Sequence, residues 1–215
     1  MRRCLIPLAS LAALSVTPGA LAQQQDSNDW DGGYAARATR RSDVTVGASP
    51  SFFLGDATGY PNEVAKIDDP AFRSSTGVSP GAGGAVWVGG ALRDWLSFAF
   101  GFGFGSLKGE QAEASIDSFI FRVEGFPLFS QGGALRDLGV SGTFGLGVVT
   151  LEQDGETTAE GGAMALMTYG VFYEAWRFGR FTLGPNVEYT HMFSQTLKLH
   201  TAAAGLRLAF YGGPG

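Results

Sequence analysis

Five ionisable residues stand inside otherwise apolar or small-residue stretches of this chain: Arg122, Glu124, Glu174, Glu188 and Arg207. Arginine and glutamate pair through parallel charge-assisted hydrogen bonds, so the set has the chemistry of a mutual ion network. Such a network could plug or gate an enclosed space, or serve only as a polar core, and Trp87 is a bulky candidate plug beside it. A second group, Asp68, Asp69, Glu152, Asp154, Glu156 and Glu160, is acidic and falls between those stretches. Carboxylate oxygens suit Ca²⁺ and Mg²⁺, but the spacing is not that of an EF-hand loop, so a solvated anionic rim is expected, with no metal and no cofactor. His191 and Ser194, with His200 close in sequence, supply the residue types of a base and a nucleophile. The His-x-x-Ser spacing puts the two on opposite faces of a regular strand, and no orienting carboxylate adjoins them. No catalytic residue is therefore assigned. The sequence carries no phosphate loop, dinucleotide fingerprint or metal-ligand cluster.

The composition narrows what could hold these groups. The 215 residues include 33 Gly, 17 Phe and one Cys, with 16% charged residues and a net charge of −5. A soluble domain usually carries about a quarter charged residues. The longest apolar run, Leu5 to Val16, is too short to span a bilayer as a helix. The negative balance, with no Lys/Arg stripe, argues against a nucleic-acid partner. The lone Cys4 excludes a disulfide scaffold and a cysteine-based zinc site. Arg2-Arg3, the apolar run, the break at Thr17-Pro18-Gly19 and the small residues of Ala20-Leu21-Ala22 have the order of a secretory signal peptide over residues 1–22, cut before Gln23. Residues 23–43 read as a mobile polar leader.

From Val44 the chain alternates large apolar with small residues, which is the period of strands. Leu96-Ser97-Phe98-Ala99-Phe100-Gly101-Phe102-Gly103-Phe104-Gly105 is the clearest case. Eight segments follow this pattern, at about 44–55, 80–92, 95–107, 115–128, 138–151, 162–176, 181–193 and 198–211, each long enough to cross a bilayer as a tilted strand. Long connections are expected at 56–79, 108–114, 152–161 and 194–197, alternating with short ones such as Arg93-Asp94 and Arg177 to Arg180. The 129–137 connection is longer than that rule prefers. Gly89-Gly90-Ala91-Leu92-Arg93-Asp94 recurs as Gly132-Gly133-Ala134-Leu135-Arg136-Asp137, a hairpin-length repeat that places Leu-Arg-Asp in short turns.

Volume and charge decide which face points inward. An eight-stranded interior is only just wide enough for its own side chains, and the phenylalanine face would overfill it. The other face, Gly, Ser and Thr with few ions, is too poor in charge for a water-facing exterior. The phenylalanines therefore point out toward lipid, and the five ions point in. Trp95, Phe126, Trp176, Phe178, Phe181, Phe210 and Tyr211 gather near the short turns and the C-terminal end, as an interfacial aromatic girdle would.

Residues 44–211 resemble the small eight-stranded outer-membrane barrels of Gram-negative bacteria, the family of the OmpA transmembrane domain, OmpX and OmpW. The alternating last strand, Ala202-x-Ala204-x-Leu206-x-Leu208-x-Phe210, is similar to that family's C-terminal assembly signal, although Tyr211 and the tail 212–215 follow it. The resemblance implies an all-β, antiparallel up-and-down transmembrane β-barrel, localised to the cell outer membrane, surrounded by lipid and lipopolysaccharide. It also implies partners in the periplasmic chaperones and the outer-membrane assembly machinery. The expectation is a monomer with a structural or surface-interaction role and no enzymatic activity. The alternatives are a narrow channel for ions or small solutes and, remotely, a lipid A-modifying hydrolase.

Overall fold

The computed structural model of the chain describes residues 40–131 and 133–213. The expected signal peptide and residues 23–39 of the leader lie outside them, as do Gly132 and residues 214–215 of the tail. The strands are β1 (Asp43–Ala48), β2 (Ser51–Gly59), β3 (Ser74–Ser75), β4 (Ser79–Arg93), β5 (Leu96–Lys108), β6 (Glu113–Gly125), β7 (Leu138–Gln153), β8 (Glu156–Tyr173), β9 (Trp176–Phe178), β10 (Phe181–Phe193) and β11 (Leu197–Tyr211).

Neighbours pair antiparallel around a closed ring. β4 through β8 follow in order, β8 pairs with β10, β10 with β11, and β11 with both β1 and β2, which in turn pair with β4. β1 and β2 are one spanning strand interrupted at Ser49-Pro50, because proline has no N–H to give to the ladder. The surrounding bonds hold: the Ser49 N–H donates to the Ala85 carbonyl at 2.9 Å and the Leu206 N–H to that of Pro50 at 3.1 Å. Register does not slip across the gap, since Ala48 faces Leu208 and Ser51 faces Gly205. The result is eight spanning strands with no open edge. β3 adds two residues to β2, and β9 three to β10.

The two faces separate as the alternation predicts. On β5, Phe100, Phe102 and Phe104 are 49%, 61% and 52% exposed on the outer wall, whereas Ser97 and Ala99 are buried inside. The outer phenylalanines pack into cross-strand ladders, with Phe100 5.1 Å from Phe121 and Phe102 5.6 Å from Phe119 between ring centroids. Glycine on the inner face makes room for larger lumenal groups. A Cβ on Gly47 would lie 2.3 Å from the Trp87 indole, and one on Gly139 2.2 Å from the Phe172 ring.

The connections differ from the expected alternation. Only the first at the end opposite the described termini is long, residues 60–78, with 3-10 turns at Val64–Lys66 and Pro70–Phe72. The expected 152–161 loop is instead a continuous hairpin turning at Asp154-Gly155, whose φ values are +53° and +81°. Two successive left-handed residues form the type I′ turn whose twist suits a hairpin, and Asp-Gly is its usual pair. The other end carries the short Asp94-Trp95 turn and the longer connections 126–137 and 174–180. The two repeat copies do not share a backbone: the first ends β4, and the described part of the second forms a 3-10 turn over Ala134–Asp137.

The interior has two levels. Toward the 60–78 end, Ala57, Leu107, Ala114, Ile120, Val149, Leu151, Ala159, Met164, Leu166, Met192, Leu197 and Leu199 form one buried apolar cluster. This is a correction to the small polar lumen expected throughout. Near these strand ends the inner face is the apolar one and outward positions such as Asp56, Lys108, Glu113, Thr150 and Lys198 are polar, so the pattern that sorts inside from outside elsewhere is reversed there. The opposite half holds the charges.

Candidate functional site

β6 carries Arg122 and Glu124 two residues apart, so both point inward from the same strand. β11 presents Arg207 across the lumen, β10 presents Glu188, and Glu174 follows the end of β8. Glu124 accepts through Oε1 from Arg122 Nε at 2.9 Å and Arg207 Nε at 3.0 Å, and through Oε2 from Arg207 Nη2 at 2.6 Å and Ser97 Oγ at 3.2 Å. Arg122 Nη1 donates to Glu188 Oε1 at 2.7 Å. Glu174 Oε1 accepts from Tyr211 Oη at 2.6 Å, Arg207 Nη1 at 3.1 Å and Thr182 Oγ1 at 3.2 Å. All five sequence-selected ions thus meet in one network, and Arg122, Glu124 and Arg207 are each 2% exposed. A buried charge is tolerated when it is paired and hydrogen-bonded, and here each carboxylate faces at least one guanidinium.

The network reaches further than the sequence indicated. Arg41, expected in a mobile leader, is 1% exposed inside the barrel mouth. It donates to Glu174 Oε2 from Nε at 3.0 Å and Nη2 at 2.8 Å, and from Nη2 to Asp137 Oδ1 at 2.8 Å. Asp94 Oδ1 accepts the backbone N–H groups of Arg40 and Arg41, each at 3.1 Å, and Arg40 Nη1 donates to Asp137 Oδ2 at 2.6 Å. Arg136 pairs with Asp94, joining the repeat copies directly. The shared product of the repeat is therefore a clasp of two aspartates around Arg40-Arg41. Its signal was legible as a repeated Leu-Arg-Asp turn, but the arginines it holds lie far away in an aperiodic stretch.

Aromatic rings separate the three buried guanidiniums. Arg41 lies 3.5 Å over Phe126, Arg207 4.3 Å over Phe172, and Arg122 4.7 Å over Trp87. Phe126 and Phe172 meet edge to face at 5.4 Å. Trp87 is inside the lumen, 3% exposed. Two residues assigned to the girdle belong here instead. Phe126 is in phase with Glu124 and packs under Arg41; Tyr211 is in phase with Arg207 and gives its hydroxyl proton to Glu174. Trp95, Trp176, Phe178 and Phe181 are exposed on the outer wall at this end, and the half-buried Phe210 ring lies 5.1 Å from that of Phe181.

Between the two levels lies a cavity of about 100 Å³, with Ser118, Thr143, Arg122 and Glu188 on its polar side and Ile120, Leu166 and Met192 on its apolar side. The acidic residues Asp68, Asp69, Glu152, Asp154, Glu156 and Glu160 are all exposed. Among the described residues no three His, Cys, Asp or Glu side chains converge as a metal site. Ser194 Oγ accepts the Leu197 N–H at 3.1 Å within its own turn, while the His191 ring stacks on His200, so His191 and Ser194 form no nucleophile–base pair.

No family model matches the sequence, and no curated protein matches it. Several solved structures are similar in fold. Neisserial surface protein A is 12% identical over 77% of this chain and 96% of its own, with a TM-score of 0.46. Ail, the attachment invasion locus protein of Yersinia pestis, is 10% identical over 78% and 99%, also at 0.46. The outer membrane protein OprG from Pseudomonas aeruginosa is 11% identical over 80% and 98%, at 0.41. The closed antiparallel register and the apolar outer wall make this chain an eight-stranded transmembrane β-barrel.

Proposed function

We propose that this protein is an integral outer-membrane barrel with a structural or surface-interaction role and no catalytic activity of its own. The observation that carries the reading is a lumen filled at two levels. Leu107, Val149, Leu151, Met164 and Met192 are fully buried at one level, and the Arg/Glu network with its aromatic rings occupies the other. Its wall meets lipid and, on the outer leaflet, lipopolysaccharide, with the 60–78 connection outside the cell. That segment is the surface offered to an external partner: Val64, Phe72 and Val78 are exposed, with Lys66 Nζ 5.0 Å from the Phe72 ring. Signal-directed export and delivery by periplasmic chaperones to the assembly machinery complete the proposal.

Planar-bilayer recording on refolded protein tests it, and the expected trace has no single-channel steps. Reproducible steps would favour the alternative, a narrow channel for ions or small solutes, for which the polar side of the central cavity is the supporting observation. Membrane fractionation with heat-modifiable gel migration tests the location; protein released by high salt would overturn it.

A further inference from the structure

The chain has two histidines, and they stand directly opposite each other: His191 of β10 is the register partner of His200 of β11. Their rings are nearly parallel, with centroids 4.3 Å apart and planes inclined by 11°. They belong to the outer wall, since the inward positions beside them are Met192 and Leu199, both in the buried cluster. His191 is about ten residues along β10 from the Phe181 girdle. At about 3.3 Å per residue and a tilt of about 40°, that is a rise of about 25 Å, the height of the apolar band of such barrels. The pair therefore sits at the far rim of the lipid-facing wall. Exposed Tyr169 and Tyr189, themselves register partners, stand at the adjoining level as interfacial tyrosines do.

We propose that His191 and His200 form a cross-strand chelate for one borderline divalent transition-metal ion, copper(II) or zinc(II). Imidazole nitrogens are good ligands for both. One ion holding two ligands at about 2.0–2.1 Å needs the nitrogens about 3 Å apart with their in-plane lone pairs converging, so binding turns the two facing rings out of their stacked arrangement until those lone pairs meet. Tyr189 Oη lies 2.8 Å from His200 Nδ1. With Nδ1–H donating to that oxygen, the Nε2 lone pair is left for the metal, the arrangement by which an outer hydrogen bond fixes a ligand's tautomer and ring orientation. Asp56 is the register partner of His200 on its other side. Its carboxylate, held by Ser75 Oγ at 3.0 Å and Thr58 Oγ1 at 3.1 Å, adds negative charge to the same face of the sheet. Lys198, near the pair, opposes a cation, and Met167 flanks His191 on β8. Water fills the remaining coordination positions, which face away from the barrel.

The test uses tag-free, refolded protein in detergent, with folding checked by heat-modifiable migration. Copper(II) titration should saturate at one ion per chain, and its paramagnetic resonance spectrum should show coupling to two equivalent imidazole nitrogens. His191→Ala and His200→Ala should each weaken binding at least tenfold, and Tyr189→Phe by about tenfold. Equal affinity in the wild type and the double alanine variant would overturn the proposal. So would a wild-type spectrum with fewer than two imidazole nitrogens, a result that requires no variant to fold.

Discussion

Removing Arg207 is the sharpest probe of the lumen. In the native barrel Arg41, Arg122 and Arg207 face Glu124, Glu174 and Glu188, three buried cations against three anions. Arg207→Ala leaves Glu124 with Arg122 alone and takes one of the guanidiniums from Glu174, so the enclosed set carries an excess negative charge. Removing one partner of a buried pair costs about 3–5 kcal/mol. At about 2–4 °C per kcal/mol for a chain of this size, the folded gel band should disappear about 6–20 °C lower. Urea unfolding in vesicles supplies the free energy. If the loss is electrostatic, adding Glu124→Gln to the Arg207→Ala variant should recover part of it, giving a coupling clearly different from zero in a double-mutant cycle. A loss below about 1 kcal/mol, or strictly additive single and double variants, refutes the view that these residues neutralise one another.

Phe102→Lys places a charge midway along the outer wall and should cost about 2–4 kcal/mol in a bilayer; a change within about 0.5 kcal/mol in vesicle urea titrations would mean that water covers that wall. Gly47→Val drives a side chain into the Trp87 indole, 2.3 Å from where its Cβ must sit. It should cost about 1–3 kcal/mol and change the tryptophan emission, and an unshifted emission with native stability would contradict the packing described. Arg41→Ala should destabilise by about 3–5 kcal/mol, against about 0–1 kcal/mol for the part-exposed Arg40→Ala; similar losses in parallel melts would show that the clasp does not depend on the buried arginine.

The spanning strands were readable because lipid and lumen impose opposite demands on successive residues, and Phe98 to Gly105 records both. Five lumenal ions were readable for the same reason: a charge in such a strand has only one tolerable direction. Parity also held information that clustering by position concealed. Phe126 shares a face with Glu124, and Tyr211 cannot share one with Phe210, yet nearness to the turns made both look interfacial. The acids flanking Asp154-Gly155 suggested a loop, although that dipeptide is itself a hairpin signal. Arg41 lies in a stretch with no period, and its partners Asp94, Asp137 and Glu174 become neighbours only after closure. The aliphatic upper lumen was masked because Met164 and Leu166 lie among Ala163, Ala165 and Met167, a run apolar on both faces that names neither as inner, and because Leu199, between Lys198 and His200, reverses the polarity that marks the inner face lower down.

Glycine-rich strands with small inner side chains are weak at specifying which residue pairs with which. A slip of two positions would keep every phenylalanine in lipid while moving Arg207 by about 6–7 Å along the barrel. The bonds from Arg207 to Glu124 and from Arg41 to Glu174 join residues 83 and 133 positions apart in sequence; the first forms only when β6 through β11 pair in one alignment, and the second only when β1 closes against β11. The buried charges thus act as a check on closure: a barrel assembled out of step retains its greasy exterior but cannot balance its interior.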